Sequence, residues 1–252
     1  MATHIQTLPL SATSLFAMRW STDELFTAMK EAHVIGRAES GRSEWAASGK
    51  VWRSGPGSLQ VKRPGDVHRL ISRAGPLTFL AVTIPDSMIQ SAVGKLRAAI
   101  YLDAVDERGA AFHRLLDAVL ANAPSLELEV AIAEALTALT SVVGAAFEHP
   151  RAVRRAIELL RSRLADPISL DDLAVHTGVD KFHLCRAFRA QVGLPPHSYL
   201  TQLRIARAKQ LLAAGMKPSD IAPRIGMYDQ SQLNRHFRRI VGTTPARYLR
   251  DM

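Results

Sequence analysis

Residues 226–248 read GMYDQSQLNRHFRRIVGTTPARY, and residues 178–199 repeat the pattern as GVDKFHLCRAFRAQVGLPPHSY. Each segment has a glycine, then Leu-x-Arg-x-Phe-Arg, then a second glycine, a proline and a tyrosine. The offset is 48 residues between Gly178 and Gly226 but 49 between Leu184 and Leu233, so the second copy contains one inserted residue. Internal repetition of this kind constrains the fold before any single element is considered.

Each copy predicts two short helices joined by a glycine turn. The predicted helices are 170–176 and 180–191 in the first copy, and 218–224 and 229–240 in the second. Gly178 stands where a helix end enters the left-handed region, which glycine adopts without a steric penalty. Leu184 and Phe188, four residues apart, lie on one helix face and would pack against the first helix, as would Leu233 and Phe237. This arrangement is typical of a helix-turn-helix unit.

The opposite face of each second helix is polar and basic. Arginine pairs with guanine in the major groove and asparagine or glutamine pairs with adenine, whereas arginines farther along the helix suit phosphate. A solvated basic face is the alternative interpretation, but it becomes less plausible when two copies place arginine at the same position. The candidate DNA-binding residues are Lys181, Phe182, Cys185, Arg186, Arg189, Gln230, Ser231, Asn234, Arg235, Arg238 and Arg239.

A long helix is predicted between the copies, over residues 196–214. About 17 residues at ~1.5 Å each span about 25 Å. Such a helix would hold two recognition helices roughly one DNA turn, ~34 Å, apart. One monomer is therefore expected to read two successive major-groove segments.

The basic charge is concentrated in the repeated part of the chain. Residues 151–252 carry 18 Lys and Arg against 8 Asp and Glu, whereas residues 1–150 carry 14 against 15. This asymmetry points to a polyanionic partner, either nucleic acid or an anionic membrane surface. A basic face kept for solubility is the remaining alternative.

Composition narrows the class further. The single cysteine, Cys185, excludes an internal disulfide and suits a reducing compartment. No apolar run approaches the ~20 residues of a membrane span, and the N-terminus lacks the pattern of a signal peptide. We therefore expect a cytoplasmic protein without a membrane partner.

Residues 28–84 have the pattern of a β-rich domain. Short apolar runs are separated by Gly and Pro turns at 54–57 and 63–66, which favours an antiparallel sandwich or barrel. Strands are expected within 31–37, 43–46, 50–53, 58–62, 67–72 and 77–84, and residues 1–20 are expected to form an arm. Beyond Pro85 the period becomes helical, with Asp86 capping a helix toward Tyr101 and Ser125 capping a later one. The apolar faces of these helices would pack on the barrel or form a dimer contact.

Residues 151–250 resemble the DNA-binding domain of the AraC/XylS family of transcription regulators. The strongest match is Gly226 to Tyr248, and residues 199–212 resemble the linker helix of the family. Met227 replaces a usual Phe, and Pro223 lies inside a short helix, which would shorten or distort it. The resemblance implies that Phe182, Cys185 and Arg186 face bases, as do Gln230, Ser231, Asn234 and Arg235. Because Phe182 and Cys185 are poor hydrogen bonders, copy one is expected to contact thymine methyl groups.

Residues 56–68 resemble the cupin-like sensor domain that many members of this family carry. A cupin enzyme would offer His-x-His, a carboxylate and another His, whereas the histidines here lack metal-ligand spacing, so no metal or other cofactor is expected. Small barrels can still hold one small ligand. The candidates to line that cavity are His33, Trp45, Trp52, His68 and Arg69, although packing or surface roles are the commoner fate of such residues.

The sequence thus predicts an α+β protein. Residues 1–148 would form a cupin-like β-barrel with trailing helices that senses a ligand and dimerises, and residues 151–252 an all-α tandem helix-turn-helix domain. The expected function is a sequence-specific transcription regulator, with double-stranded DNA, an unidentified small-molecule effector and RNA polymerase as partners of a homodimer. A ligand-independent or architectural DNA-binding protein is the closer alternative, and a barrel enzyme the more distant one, because no nucleophile or metal ligands are apparent.

Overall fold

The computed structural model describes residues 4–8, 15–94, 96, 99–142 and 150–250. The chain divides into two compact units, Met1–His149 and Pro150–Met252. The first unit contains all eight strands of one antiparallel sheet, and the second consists of helices. Among the described residues, no helix has both the length and the apolar content to cross a bilayer.

The sheet of the first unit is built around two long strands. These are β4 (His33–Ala47) and β7 (Val67–Ile84), which pair with each other along most of their length. The remaining strands are β1 (His4–Leu8), β2 (Phe16–Thr22), β3 (Thr27–Met29), β5 (Lys50–Ser54), β6 (Leu59–Lys62) and β8 (Ile100–Leu102). The main path runs β1-β2-β7-β4-β6-β8, with β3 on β7 and β5 on β4.

The β4–β7 ribbon folds over itself. Phe79 on β7 pairs with Ala38 on β4. Ala38 and Trp45 are seven residues apart on β4, so in a straight strand they would be separated by about 23 Å. Yet the rings of Trp45 and Phe79 are only 5.7 Å apart. The bend coincides with register shifts on either side of Gly41, whose φ of 79° and close approach to the Pro76 carbonyl exclude a side chain. The two halves of the ribbon therefore enclose a space between them.

Alternation along the strands gives the sheet two apolar faces. One face carries Ile35, Val61 and Leu80 and packs against helices that contribute Phe112 and Leu139. The helices of this unit are α1 (Asp86–Val93), α2 (Ala110–Leu120) and α3 (Ser125–Val142), with a 3-10 turn at Glu107–Gly109. The inner face of the folded ribbon carries a separate aromatic cluster of Trp45, Leu70, Leu77 and Phe79, with Trp20, Phe26 and Trp52 packed against it.

Three predictions for the first unit are wrong in detail. Residues 4–8 and 16–22 are paired strands rather than a free arm, because β1 and β2 pair with each other and β2 pairs with β7. The helix that begins at Asp86 ends at Val93, where Gly94 takes a φ of 69°, and Tyr101 lies in β8. Four predicted strands also merge into two, since β4 and β7 continue through the bend.

The second unit contains seven helices within residues 150–250. They are α4 (Arg151–Ser162), α5 (Leu170–Thr177), α6 (Lys181–Val192), α7 (Pro196–Ala213), α8 (Pro218–Arg224), α9 (Gln230–Val241) and α10 (Pro245–Arg250). Ser169 caps α5 in a capping box with Asp172. Helix α8 has only seven residues and includes Pro223 near its end.

The sequence repeat is also a geometric repeat. The rings of Phe188 and Tyr199 meet edge to face at 5.6 Å, and those of Phe237 and Tyr248 do so at 5.5 Å. Asp180 and Asp229 cap the second helices of the two copies, so the inserted residue is Tyr228, between Met227 and the cap. Tyr228 is 94% exposed, which leaves the apolar core in register.

Helix α7 belongs to both copies. Its first turns bury Tyr199 against Phe188, while Ile205, Ala208 and Leu212 pack with Phe237 in the second copy. Between these two contact regions, Arg204 donates from Nε to the Leu164 carbonyl at 2.9 Å and from Nη2 to the Asp166 carbonyl at 3.0 Å. A Cβ on Gly226 would lie 2.3 Å from the Ala165 carbonyl oxygen and 2.7 Å from Nη2 of Arg204. The chain after α4 thus packs directly onto the turn of the second copy.

The turn glycines give a matched pair of variants. Gly178 and Gly226 both have a φ of 72°, but a Cβ meets nothing within 4 Å at Gly178. We expect Gly178→Ala to cost about 1–2 kcal/mol for the left-handed backbone alone, and Gly226→Ala to cost about 1–3 kcal/mol more through overpacking. Denaturant unfolding followed by circular dichroism measures both; equal costs would contradict the packing argument.

The role of Arg204 can be tested against a neighbour on the same helix. Arg204→Met leaves two carbonyls without their donors and should destabilise the second unit by about 1–3 kcal/mol. Arg207→Met removes an exposed arginine that donates to the Gln210 side chain and should change stability by less than about 0.5 kcal/mol. Helical circular dichroism should report the loss, while fluorescence of the three tryptophans, all in the first unit, should show an unchanged transition. A fluorescence transition that moves with Arg204→Met would count against a local effect.

Candidate nucleic-acid interface

Helix α6 presents one exposed stripe. Its start is fixed by Asp180, whose carboxylate accepts from the Phe182 and His183 amides at 2.9 and 3.1 Å, and these bonds lower the pKa of Asp180. Leu184 and Phe188 are fully buried. Phe182, Arg186 and Arg189 lie at i, i+4 and i+7 on the other side and are exposed, Phe182 by 65%.

Two predicted DNA-binding residues of the first copy lie on the flank of this stripe. The ammonium of Lys181 is paired with Asp171 of α5 at 2.9 Å and lies 5.8 Å from the Phe182 ring. Cys185 is half-buried and lines a groove together with Leu173 and Leu200. The structure therefore brings Phe182, Arg186 and Arg189 together and places Lys181 and Cys185 beside them.

Helix α9 repeats the stripe with more polar side chains. Asp229 caps it by accepting from the Gln232 amide at 2.7 Å, and Leu233 and Phe237 are buried. Ser231, Arg235 and Arg238 occupy the positions of Phe182, Arg186 and Arg189 and are exposed. Gln230 is exposed and Asn234 half-buried on the flank, and Arg239 lies in the last turn. Between them the exposed side chains offer donors to base edges and phosphates.

Two further residues lie at this surface that sequence reasoning did not single out. Tyr228 stands fully in solvent just before α9, with its amide donating to the Gln232 side chain at 2.7 Å. His236 is bonded through Nδ1 to Arg239 at 2.9 Å, and its pKa is lowered by partial burial and then by Arg239 and Arg235. The insertion in the second copy was the available signal for Tyr228, because an extra turn residue with no core partner is expected to be exposed.

The candidate ligand residues of the first unit are spread over different surroundings. Trp45 and His68 line a cavity between the halves of the folded ribbon and are buried. His33 bonds through Nε2 to Asp86 at 3.0 Å, and Arg69 is exposed. Trp52 stacks on Tyr101 at 4.5 Å and lines a different groove.

The same cavity is lined by two lysines that the sequence did not single out. Lys62 is only 3% exposed, and Lys30 contributes to the same wall. Lys62 is missed because lysine in a short strand is ordinarily assigned to the solvent face. Among the described residues, no three His, Cys, Asp or Glu side chains come together as a metal site requires.

Two helix-turn-helix units that expose arginine and amide side chains along their second helices define the second unit as a DNA-binding domain. A family model described as a helix-turn-helix domain matches residues 173–251. The transcriptional activator AarP of Providencia stuartii is 34% identical over 90 residues, which are 35% of this chain and 67% of that protein. The HTH-type transcriptional regulator YbfI of Bacillus subtilis is 28% identical over 221 residues, 80% of this chain and 78% of that protein. The chain belongs to the AraC/XylS family, whose members are transcription regulators rather than enzymes.

Similarity of fold extends over both units. The crystal structure of ToxT from Vibrio cholerae O395 covers 94% of this chain and 97% of its own, with a TM-score of 0.56 at 12% identity. A second ToxT structure, bound to (E)-4-(8-methylnaphthalen-1-yl)but-3-enoic acid, has a TM-score of 0.54 at 13% identity and covers 94% and 98%. The chain thus has the α+β architecture expected from its sequence, a cupin-like first unit followed by paired helix-turn-helix units.

Proposed function

We propose that this transcription regulator reads two successive major-groove segments, one with α6 and one with α9, and that a small molecule bound in the first unit controls it. The observation that carries the first part is the matched stripe on the two helices: Phe182, Arg186 and Arg189 on one, Ser231, Arg235 and Arg238 on the other. Helix α7, with 18 residues and a length of about 27 Å, joins the two copies.

Base discrimination is assigned mainly to the second copy. Gln230, Asn234 and Arg235 lie in the first two turns of α9 and carry the side chains that form bidentate pairs with adenine and guanine. In the first copy, Arg186 is the matching donor, while Phe182 offers an apolar edge that suits a thymine methyl group. Tyr228 adds an exposed ring at the start of α9.

Phosphate contacts are assigned to the later turns. Arg189 follows Arg186 by three residues on α6, and Arg238 and Arg239 lie in the last turn of α9. The net charge of +10 on residues 151–252 supports a strong, salt-dependent attraction to DNA.

Substitutions at Arg235 and Arg238 should separate reading from positioning. Arg235→Ala should lose about 1–3 kcal/mol on the operator and relax preference at one or two base pairs. Arg238→Ala should weaken operator and unrelated DNA alike and reduce the slope of log K against log salt by about 1.

Fluorescence anisotropy over a salt series, with operator variants obtained by selection from random DNA, measures both quantities. Glu158→Ala, an exposed change on α4, serves as the control for folding and concentration. Equal effects of Arg235→Ala on every sequence would contradict its assignment to base reading.

The effector part of the proposal is supported by the cavity between the halves of the β4–β7 ribbon. ToxT, which shares the fold, has been crystallised with a small molecule bound. The test is a thermal-shift screen of the full chain against sugars, amines, alcohols and acids, followed by footprinting with and without each compound that binds. An unchanged footprint and no thermal shift with any compound would favour a ligand-independent regulator.

A homodimer is also proposed, with α3 as the contact. Leu126 is 74% exposed and Val130, one turn later, is 51% exposed, next to Ala133 on the same face. Sedimentation of the full chain should therefore give a dimer that Val130→Glu dissociates. Thr137→Glu, two turns farther along on the same helix, tests how far the contact extends. A monomer at all concentrations would remove this part of the proposal.

A further inference from the structure

The cavity in the first unit has one aromatic wall and one cationic wall. Trp20, Trp45 and Phe79 form the first, with ring centroids 4.7 Å apart for Trp20 and Phe79 and 5.7 Å apart for Trp45 and Phe79. Lys30 and Lys62 lie on the second, and the Lys62 ammonium is 5.3 Å from the centre of the Trp45 ring. A cation over an indole face is stabilised, but weakly compared with a charge partner.

Neither lysine forms an ion pair in the described part of the chain, although the charge of Glu31 acts on Lys30. No carboxylate oxygen there lies within 4.0 Å of the ammonium of Lys30 or of Lys62. The carboxylate that acts on Lys62 from nearby is Asp66, whose two oxygens already accept from Nε and the amide of Arg63 at 2.9 Å. A buried ammonium without an ion pair is costly, and the cost falls when the lysine loses its proton or when an anion binds beside it.

His68 adds a second unsatisfied group to the same wall. It is 2% exposed, and its Nδ1 is buried without a hydrogen-bond partner. Burial lowers the pKa of His68 and of Lys62, and the neighbouring lysines lower both further. Three nitrogen groups therefore converge where negative charge would be stabilised.

The register of the strands explains why these side chains point inward. Lys62 is paired with Val34, and Gln60 with Gly36, so all four lie on the inner face while Val61 and Ile35 face the helices. Gly36 leaves space next to Gln60 and Ala81, and a Cβ there would make only ordinary contacts at 3.5 to 3.8 Å. The space is a consequence of the sequence and can be filled by substitution.

We propose that this cavity is the effector site and takes a small organic acid, whose carboxylate lies between the ammonium groups of Lys62 and Lys30 and whose apolar body packs on Trp20, Trp45 and Phe79. The inference rests on the proposed effector function and gives it a ligand class. A carboxylate there forms charge-assisted hydrogen bonds and supplies the missing counter-charge. The cavity measures about 20 Å³, so a ligand has to displace side chains of the aromatic wall on entry.

The test uses intrinsic fluorescence, because two of the three tryptophans line the cavity. The full chain is titrated with straight-chain monocarboxylates from acetate to decanoate and with benzoate, alongside the matched carboxamides and sodium sulfate. We expect saturable fluorescence and thermal shifts with some of the carboxylates and at least about tenfold weaker binding of their amides. Binding of sulfate alone would mean an inorganic-anion site and would overturn the organic-acid proposal.

Three variants distinguish a ligand-binding role of Lys62 from a purely structural role. Lys62→Met keeps the length of the side chain and should weaken carboxylate binding at least about tenfold without lowering the melting temperature of the free protein, since a buried charge is removed. Gly36→Val should abolish binding by filling the cavity. Arg19→Met removes an exposed charge from β2 and should change neither quantity.

The outcomes distinguish this inference from the proposed function. If only neutral compounds bind, and Lys62→Met leaves their affinity unchanged, the effector function stands and the anion site is wrong. If no carboxylate binds and Lys62→Met lowers the melting temperature, Lys62 is a structural residue and the inference fails. If carboxylates bind as expected but the footprint on operator DNA does not change, the site stands and its control of DNA binding fails.

Discussion

The guanidinium of Arg204 is the interaction on which the arrangement of the DNA-binding unit depends. It lies in the middle of α7, between the residues that pack with the first copy and those that pack with the second. Its two hydrogen bonds are donated to backbone carbonyls just beyond the C-terminal end of α4. The last carbonyls of a helix lack partners within the helix, and the helix dipole favours a positive charge there. Burial lowers the pKa of Arg204, but arginine stays charged at any physiological pH. The link between α4, α7 and the second turn therefore does not depend on pH in the physiological range.

The same contact explains why the two turns of the repeat are not interchangeable. Gly178 needs only its left-handed backbone, whereas Gly226 also needs the absence of a side chain, because the Ala165 carbonyl and Arg204 occupy the space. The sequence shows a glycine at both places and predicts the shared backbone requirement. It cannot reveal the second requirement, since the contact joins residues 61 positions apart along the chain.

Elements that depend on interactions between residues close in the sequence are the ones that the sequence predicts best. The helices of the second unit depend on local caps and four-residue spacing, so α5, α6, α8 and α9 begin and end within one residue of their predicted bounds. The candidate DNA-binding residues are also predictable from the local pattern, because they lie on two helices. The ion pair between Lys181 and Asp171 is not predictable in this way, because it joins two different helices.

The first unit depends instead on long-range pairing. Turn signals within 28–84 predict the β-rich class, but the continuation of β4 and β7 through the bend requires the partner strand to be known. The inward position of Lys62 has the same origin, because a change of register by one residue would place it among the helices. Charge alone therefore assigns this lysine to solvent, while the pairing places it inside.

The insertion of Tyr228 shows how a repeat can diverge at its reading surface without disturbing its core. Met227 takes the buried position of the turn and Asp229 restores the cap, so Leu233 and Phe237 remain packed as Leu184 and Phe188 are. The side chain of Tyr228 is exposed to solvent, and its backbone amide donates a hydrogen bond to the Gln232 side chain. Because loops accept extra residues at little cost, divergence is cheapest at this position, directly ahead of the helix proposed to read bases. The asymmetry of the two copies therefore resides in surface chemistry, whereas the geometry that carries the helices is shared.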